Sequence, residues 1–392
     1  MSQALDRHLT PEQRELYELT WRLAAQTLKP IADAGRPDRV NRPLIHALAE
    51  HGLLGRLFNA DDGVSAIDLC LIREALARAC TEAETAFALQ GLGAYPIAQA
   101  GRPEIRAEWI PRVAAGTAVA AFALTEPDAG SDVSAISLRA EPDPDADGDG
   151  YRLTGEKLWI SNAPEADIYT VFARTPDGGD GRHPARGLTA FAVPGDSDGL
   201  SGEPKQLLAP HAIGSLTFDG VAVAAHQVLG EPGAGFRVAM GTLDLFRPSV
   251  GAFAIGMART ALELTTDWAL RRHTFGTPLS HHQAVSHRLA DISARIEGAR
   301  LLVHQAAAAH DARTPDPALA AMAKLLATET AQEAVDAAVQ FHGARALESG
   351  HPLEHLYREV RAPRIYEGAT EIQREIIARS LFRAAEQRQQ LR

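Results

Sequence analysis

Between Ala123 and Ala135 the chain reads ALTEPDAGSDVSA, a run that places two hydroxyls, two carboxylates and a glycine close together. Thr125 and Ser131 supply the hydroxyls, Glu126 and Asp132 the carboxylates, and Gly130 lets a backbone amide come close to a flat or anionic ligand. The apolar residues Val119 to Leu124 just before it are expected to form a buried strand, which would hold the loop at a strand end. That is the layout of a binding loop. A turn closing a β-domain has the same composition, so the loop alone does not decide the chemistry.

Three other clusters are weaker. Asp143, Asp145, Asp147 and Gly148 match the first positions of a calcium loop, but Thr154 stands where a bidentate Glu is required and Pro142 and Pro144 break any entering helix. A solvated acidic hairpin tip is the better reading. His281, His282 and His287 lack the ligand spacing of a metal site, so no metal is expected. Gly230 to Gly235 follows a loop and precedes a helix without the βαβ setting of a dinucleotide fingerprint, and no phosphate-binding P-loop is present.

Four ordered motifs resemble the acyl-CoA dehydrogenase family. They are the TEPDAGSD loop, YRLTGEKLWISN from Tyr151 to Asn162, RHTFG from Arg272 to Gly276 followed by His282 and Gln283, and IYEGATEIQR from Ile365 to Arg374. The resemblance implies an FAD cofactor lying extended between a β-domain and a helical bundle. By the same resemblance Thr125 meets the pyrimidine edge of the flavin, Trp159 packs near the isoalloxazine and Ser161 donates to flavin N5. Arg272 is matched to the FAD diphosphate, with Phe275 beside it, and Gln283, Gln340, Gly343 and Thr370 to further cofactor contacts. A guanidinium suits the diphosphate because its fork meets phosphate oxygens two at a time.

The resemblance assigns the catalytic base to Glu367. Removing hydrogen across the α and β carbons of an acyl thioester needs a base for the α-proton and an acceptor for the β-hydride. A carboxylate serves as base when an apolar pocket raises its pKa and hydrogen bonds to the thioester carbonyl acidify the α-proton. Ile365 and Tyr366 precede Glu367, and Gly368 lets the backbone approach the ligand. The family's carbonyl-polarising pair is the Glu367 amide and a flavin hydroxyl. Ser131, Asp244, Arg247 and Gly368 are the matching thioester-binding positions; Asp244 and Arg247, three apart, share a helix face. Some branches carry the base on the first bundle helix, where this chain has Phe246.

Departures from the family pattern are local. Gln340 to Ala346 reads QFHGARA, keeping one glycine of a glycine-rich motif and inserting Arg345; Ala369 replaces a usual Thr; a glycine pair near Asp62 is absent. Gln90 to Tyr95 are expected to line the acyl pocket. The implied reaction is dehydrogenation of an acyl-CoA to the trans-2-enoyl-CoA, with electrons passed to an electron-transfer flavoprotein and the enzyme a homotetramer. A flavin monooxygenase or oxidase on the same fold, a silent flavin or acyl-carrier binding protein, and a dehydrogenase acting on an acyl-carrier-protein thioester are the alternatives. A carboxylate at the base position argues against the oxygen-using enzymes.

The elements that must hold these residues form an α+β, mainly α, chain. Its 392 residues exceed one hydrophobic core. Periodicity predicts an all-α domain over 1–118, an antiparallel β-barrel or sandwich over 119–232 and a four-helix bundle over 233–392. Helices are expected from Thr10 through Leu28, over Pro43 to Gly52 and over Ile67 to Leu89, then at 235–273, 281–312, 316–342 and 367–388. Strands are expected at Tyr151 to Ile160, Ile168 to Thr175, Gly187 to Val193 and Leu216 to Val223. Cys70 and Cys80 would lie about 15 Å apart along one helix, too far for a disulfide, which fits a reducing cytoplasm. The N-terminal residues lack the apolar core of a signal peptide, and no apolar run reaches a membrane span. A net charge of -11 makes nucleic acid an unsuitable partner.

Overall fold

The computed structural model describes residues 8–58, 64–144, 150–176, 187–209 and 211–390. Asp62 and the Asp145, Asp147 and Gly148 of the calcium-like string lie outside the described residues, as does the start of the N-terminal segment. Asp143, at the near end of that string, pairs with Arg152 at 3.2 Å.

Thr10 accepts the Gln13 amide at 3.2 Å, and the Gln13 side chain accepts the Thr10 amide at 3.0 Å, a capping box ahead of Pro11. The helix it opens, α1 (Pro11–Leu23), stops short of Leu28: Ala24–Leu28 widen into a π turn before α2 (Lys29–Asp33). Pro30 explains the widening, since its ring has no amide to donate and crowds the carbonyl four residues back. After α3 (Arg42–Glu50), the helix expected over Ile67 to Leu89 divides into α4 (Ala66–Ala79) and α5 (Thr81–Ala100). Cys80 is extended at the break, and its sulfur accepts the Ala83 amide at 3.4 Å, so it caps α5 while Glu82 and Glu84 answer that helix's dipole. Cys70 and Cys80 are both free and buried.

After α6 (Pro103–Ala114) come eight strands of one sheet: β1 (Ala120–Ala123), β2 (Arg139–Pro142), β3 (Tyr151–Ser161), β4 (Ile168–Arg174), β5 (Leu188–Pro194), β6 (Leu200–Pro204), β7 (Ile213–Val223) and β8 (Val228–Leu229). The order is β6-β7-β3-β2-β4-β5-β8, with β1 beside β4. Pairing is antiparallel except that β1 runs parallel to β4, and β2 touches β4 in parallel at one residue pair. The bundle segments follow as α7 (Gly235–Arg271), α8 (Gln283–Asp311), α9 (Pro317–His342) and α11 (Thr370–Gln390), with a short α10 (Pro352–Glu359) before the last.

The chain forms two compact units. One comprises Met1–Thr27, Ser65–Glu84 and Asp244–Arg392. Small side chains let its helices approach closely: Ala299, Val303 and Ala307 of α8 are buried, as are Ala323, Ala327 and Ala331 of α9. A Cβ on Gly256 would sit 2.5 Å from the Glu74 carbonyl, so α7 and α4 meet backbone to backbone. Glu74, fully buried, accepts from Arg259 at 2.6 Å and from Arg300 at 2.9 Å on both oxygens. Burial alone would push its carboxyl up, but Arg300, His304 and Arg259 hold it well below the usual carboxylate range.

The other unit comprises Leu28–Val64 and Thr85–Leu243. Its core packs Ile97, Trp109 and Val113 from helices against Ile168, Phe172, Leu188 and Ala190 of the sheet. Helix α5 lies flush on the strands because Gly93 has no side chain: a Cβ there would sit 2.5 Å from the Ala121 nitrogen, and Thr170 donates to the Gly93 carbonyl at 2.8 Å. Gly93→Ala is therefore expected to destabilise the protein by about 1–3 kcal/mol. A urea midpoint equal to that of the parent protein would contradict this packing argument. Among the described residues no helix is long and apolar enough to cross a membrane.

Candidate active site

In the sheet-bearing unit, the loop after β1 is fastened by its own carboxylates. Glu126 accepts the Ser137 amide at 2.7 Å, the Leu138 amide at 2.9 Å and the Lys157 ammonium at 2.8 Å. Lys157 is 0% exposed and also donates to the Leu124 carbonyl. Burial pushes this lysine down to about 8, against the pull of Glu126, and the lysine in turn keeps Glu126 ionised. Asp132 accepts the Ser134 amide at 3.0 Å. Both carboxylates therefore brace the loop. The Thr125 and Ser131 hydroxyls form no hydrogen bond among the described residues, which leaves them available to a ligand.

On β3 the pairing with β7 slips between Lys157 and Ile160, and Trp159 sits in that bulge with φ of 59° and half its surface exposed. A bulky aromatic in the left-handed region is an outlier of the kind that clusters at functional sites, and bulges re-aim side chains there. Ser161 faces His211 at 3.2 Å, and burial holds that imidazole low, hence neutral. The sequence reading missed His211, which stands in a loop with no motif around it. Gln90 is buried and its side-chain oxygen accepts the Ala120 amide at 3.0 Å, tying α5 to β1.

In the bundle-bearing unit, the turn after α7 carries Arg272 and Phe275. Phe275 is 99% exposed with φ of 51°, and Arg272 forms no ion pair among the described residues. Its guanidinium lies 5.9 Å from the Trp268 ring centroid, and Arg345 lies 5.4 Å from the same ring. Trp268 stacks on His342 at 5.2 Å, so the end of α9, with exposed Gln340 and left-handed Gly343, shares this corner with Arg272. A cavity of about 210 Å³ opens there, lined by Trp268, Arg271, His342, Arg345 and His351 among others. Gln283 begins α8 and is exposed.

Glu367 lies in the turn ahead of α11 with φ of 51°, followed by Gly368 at 90°. Holding a glutamate in the left-handed region costs of order 1–3 kcal/mol, so the surroundings must impose it. Its Oε2 is buried without a hydrogen-bond partner among the described residues. Burial raises the carboxyl above its ordinary value, and Arg73, Lys324 and Arg247 oppose that rise without cancelling it. Arg247, buried, pairs with Asp244 at 3.0 Å on the shared face of α7.

Thr370 stands at the start of α11. It is buried and its hydroxyl donates to Glu329 at 3.0 Å, so within this chain it braces the turn instead of presenting a free hydroxyl. Lys324 and Arg73 escaped the sequence reading because each occupies the buried face of a helix that reads as apolar packing. Arg73 is buried, binds Glu84 and donates to Ser249 at 2.7 Å.

Each unit carries its own candidate groups: a half-exposed Trp159 and two unengaged hydroxyls on a braced loop in the sheet-bearing unit, and an exposed Phe275, an unneutralised guanidinium and a desolvated carboxylate in the bundle-bearing unit. Models of the acyl-CoA dehydrogenase N-terminal, middle and C-terminal domains match residues 10–117, 121–221 and 233–382. A probable acyl-CoA dehydrogenase fadE25 of Mycobacterium leprae is 34% identical over 389 residues, 96% of each chain. The chain belongs to the acyl-CoA dehydrogenase family. Its fold agrees: butyryl-CoA dehydrogenase from Megasphaera elsdenii superposes with a TM-score of 0.87 at 32% identity, covering 95% of this chain and 99% of that one. A chain in a structure titled for the electron transferring flavoprotein of Acidaminococcus fermentans gives 0.88 at 31%, covering 96% and 100%. The FAD complex of PigA gives 0.86 at 28%, covering 95% and 98%.

In this acyl-CoA dehydrogenase, position 367 carries an acid and Phe246 of α7 is buried. Arg345, the departure in QFHGARA, is accommodated by lying over Trp268.

Proposed function

We propose that this acyl-CoA dehydrogenase oxidises an acyl-CoA to its trans-2-enoyl-CoA, with Glu367 abstracting the α-proton. The enzyme is flavin-dependent and its cofactor is FAD, which supplies the acceptor for the β-hydride. The carrying observation is the Glu367 carboxylate: buried at Oε2, unpartnered, raised in pKa and fixed in a left-handed turn. A buried acid without a hydrogen-bond partner weakens a fold, so its placement here supports a chemical role. A carboxylate raised above its ordinary value is also what general-base catalysis favours.

Thr125, Ser131, Trp159 and Ser161 are the groups we assign to the flavin end of FAD, and Arg272, Phe275, Gln283, Gln340 and Gly343 to its diphosphate and adenine end. Ser131, Asp244, Arg247 and Gly368 would hold the thioester. In this reading the Glu367 amide, which makes no hydrogen bond among the described residues, donates to the thioester carbonyl and lowers the α-proton's pKa. Electrons then leave to an electron-transfer flavoprotein, a partner supported by the likeness to the chain in the Acidaminococcus fermentans structure.

We also infer a homotetramer. Phe275, with Leu381 at 61% and Phe382 at 70% exposed on α11, leaves large apolar side chains that self-association would cover. The function is tested by anaerobic titration of the yellow enzyme with acyl-CoAs of increasing length and branching, read as loss of flavin absorbance. Bleaching by a subset of thioesters is expected; a flavin that no acyl thioester reduces would defeat the proposal.

A further inference from the structure

Lys324 is 1% exposed in the first third of α9, on a buried face it shares with Ala320, Ala321, Ala327, Thr328 and Ala331. Its ammonium donates to the Tyr366 carbonyl at 2.6 Å and to the Gly368 carbonyl, the two acceptors that bracket Glu367. Gln373, also buried, donates to the Gly368 carbonyl at 2.8 Å and would collide with any Cβ on that glycine. The turn is thus held from α9 and from α11 at once. Peptide planarity carries the consequence to the base: in a trans peptide the Tyr366 carbonyl and the Glu367 N–H point in opposite directions. Drawing that carbonyl toward Lys324 turns the Glu367 amide away from α9, where it stays unengaged.

We propose that Lys324 is the positioning residue of the site: its clamp on the Tyr366 and Gly368 carbonyls imposes the left-handed turn, aims the Glu367 amide at the thioester carbonyl and balances the charge of the base. This rests on the reading of Glu367 as base. An apolar residue of similar length would fill the same space in α9 without a buried charge, so packing alone does not account for the lysine.

The charges around the base come from several elements. Arg73 of α4, Lys324 of α9 and Arg247 of α7 each favour its ionised form. Glu84 and Glu359 act on the neighbouring Tyr366 hydroxyl, and Glu84 also pairs with Arg73. Lys324 is pushed down to about 8 by burial, with Glu367 pulling it up and Arg247 down. Losing the Lys324 ammonium removes one of the three cations that oppose the rise of Glu367, so the pH at which the base ionises moves upward.

The test compares Lys324→Met, Lys324→Gln and Lys324→Arg in the FAD-loaded enzyme. One readout is deuterium exchange at the α-carbon of a 3-thiaacyl-CoA, which has an α-proton but no β-hydride to give; FAD content and melting temperature are the others. In exchange, the α C–H bond breaks, its proton passes to the Glu367 carboxylate, and a deuteron from solvent returns, with no net oxidation. Lys324→Met is expected to retain FAD, slow exchange by about 10²-fold, the scale of losing one oxyanion donor, and move the acid limb of the profile to higher pH. Lys324→Gln should share the shifted limb, while Lys324→Arg should keep it near that of the parent.

Parent-like exchange and an unshifted limb in Lys324→Met overturn the proposal. Loss of fold in all three variants, arginine included, also overturns it by making the lysine a stability element. Glu367→Gln separates the underlying reading: if it exchanges as fast as the parent, the base assignment fails irrespective of Lys324.

Discussion

Glu367→Gln is expected to bind FAD as the parent does and to slow bleaching of the flavin by an acyl-CoA by about 10²–10⁴-fold, the usual contribution of a positioned general base. The amide keeps the size of the side chain and leaves the turn, the Lys324 bonds and the Glu367 backbone N–H in place. Loss therefore reports the missing base and not a lost cofactor. In the parent enzyme kcat/KM should fall as pH drops through the raised Glu367 pKa, because only the carboxylate accepts the α-proton. The same elevation sets the sign of a stability effect. Below the unfolded-state pKa both states hold the proton. As pH rises from there through the folded value, the native state keeps a proton that the unfolded chain releases, so folding stability declines. Glutamine cannot ionise. The melting temperature of Glu367→Gln should therefore gain on the parent with rising pH across that window. Equal melting curves at every pH would show that the acid is not destabilised in the folded protein, and unchanged bleaching would remove it from the chemistry.

How much of this was legible in the sequence depended on whether a signal was local. The capping box at Thr10 and the bundle helices rest on contacts within a few residues, and the structure starts or ends those helices close to the expected positions. The long strands also read clearly, since their alternation or apolar runs extend far enough to count. Strands β2, β6 and β8 are short and mostly polar or sheet-edge, and so left no periodic trace. The breaks at Ala24 and Cys80 were missed because a single proline or a capping thiol overrode an otherwise helical pattern. In the site, motif residues were found and their supports were not. Glu126 and Asp132 read as ligand groups, yet both hydrogen-bond inward, because sequence cannot tell whether a carboxylate faces the ligand or its own loop. Lys324, Arg73 and His211 carry no motif; they acquire meaning only when distant segments bring them to Tyr366, Glu84 and Ser161. A lysine within the alanine-rich run of α9 was the one available hint.

The inward role of Glu126 leads to the second large effect. Glu126→Ala removes the partner of a fully buried ammonium and the acceptor for two amides and a hydroxyl of the 137–138 segment. Breaking a buried pair from one side typically destabilises by about 3–5 kcal/mol, since the remaining charge keeps its desolvation penalty. Lys157 still reaches the Leu124 carbonyl, but its pKa, already about 8 with Glu126 beside it, falls further once that carboxylate is gone. Between the variant's lower value and pH 8 the folded state sheds a proton that the unfolded chain keeps. Stability there rises with pH, so the deficit against the parent should narrow toward pH 8. Adding Lys157→Met removes the stranded charge and should restore most of the lost stability, giving a strongly favourable coupling in a double-mutant cycle. FAD binding should not return with it, because the Ser137 and Leu138 amides still lack the oxygen that fixes the loop bearing Thr125 and Ser131. Chemical denaturation and FAD titration of the four proteins measure the two quantities separately. If the double variant regained stability and full FAD affinity together, the buried pair would be a stability element alone and the loop would not need it to present its hydroxyls.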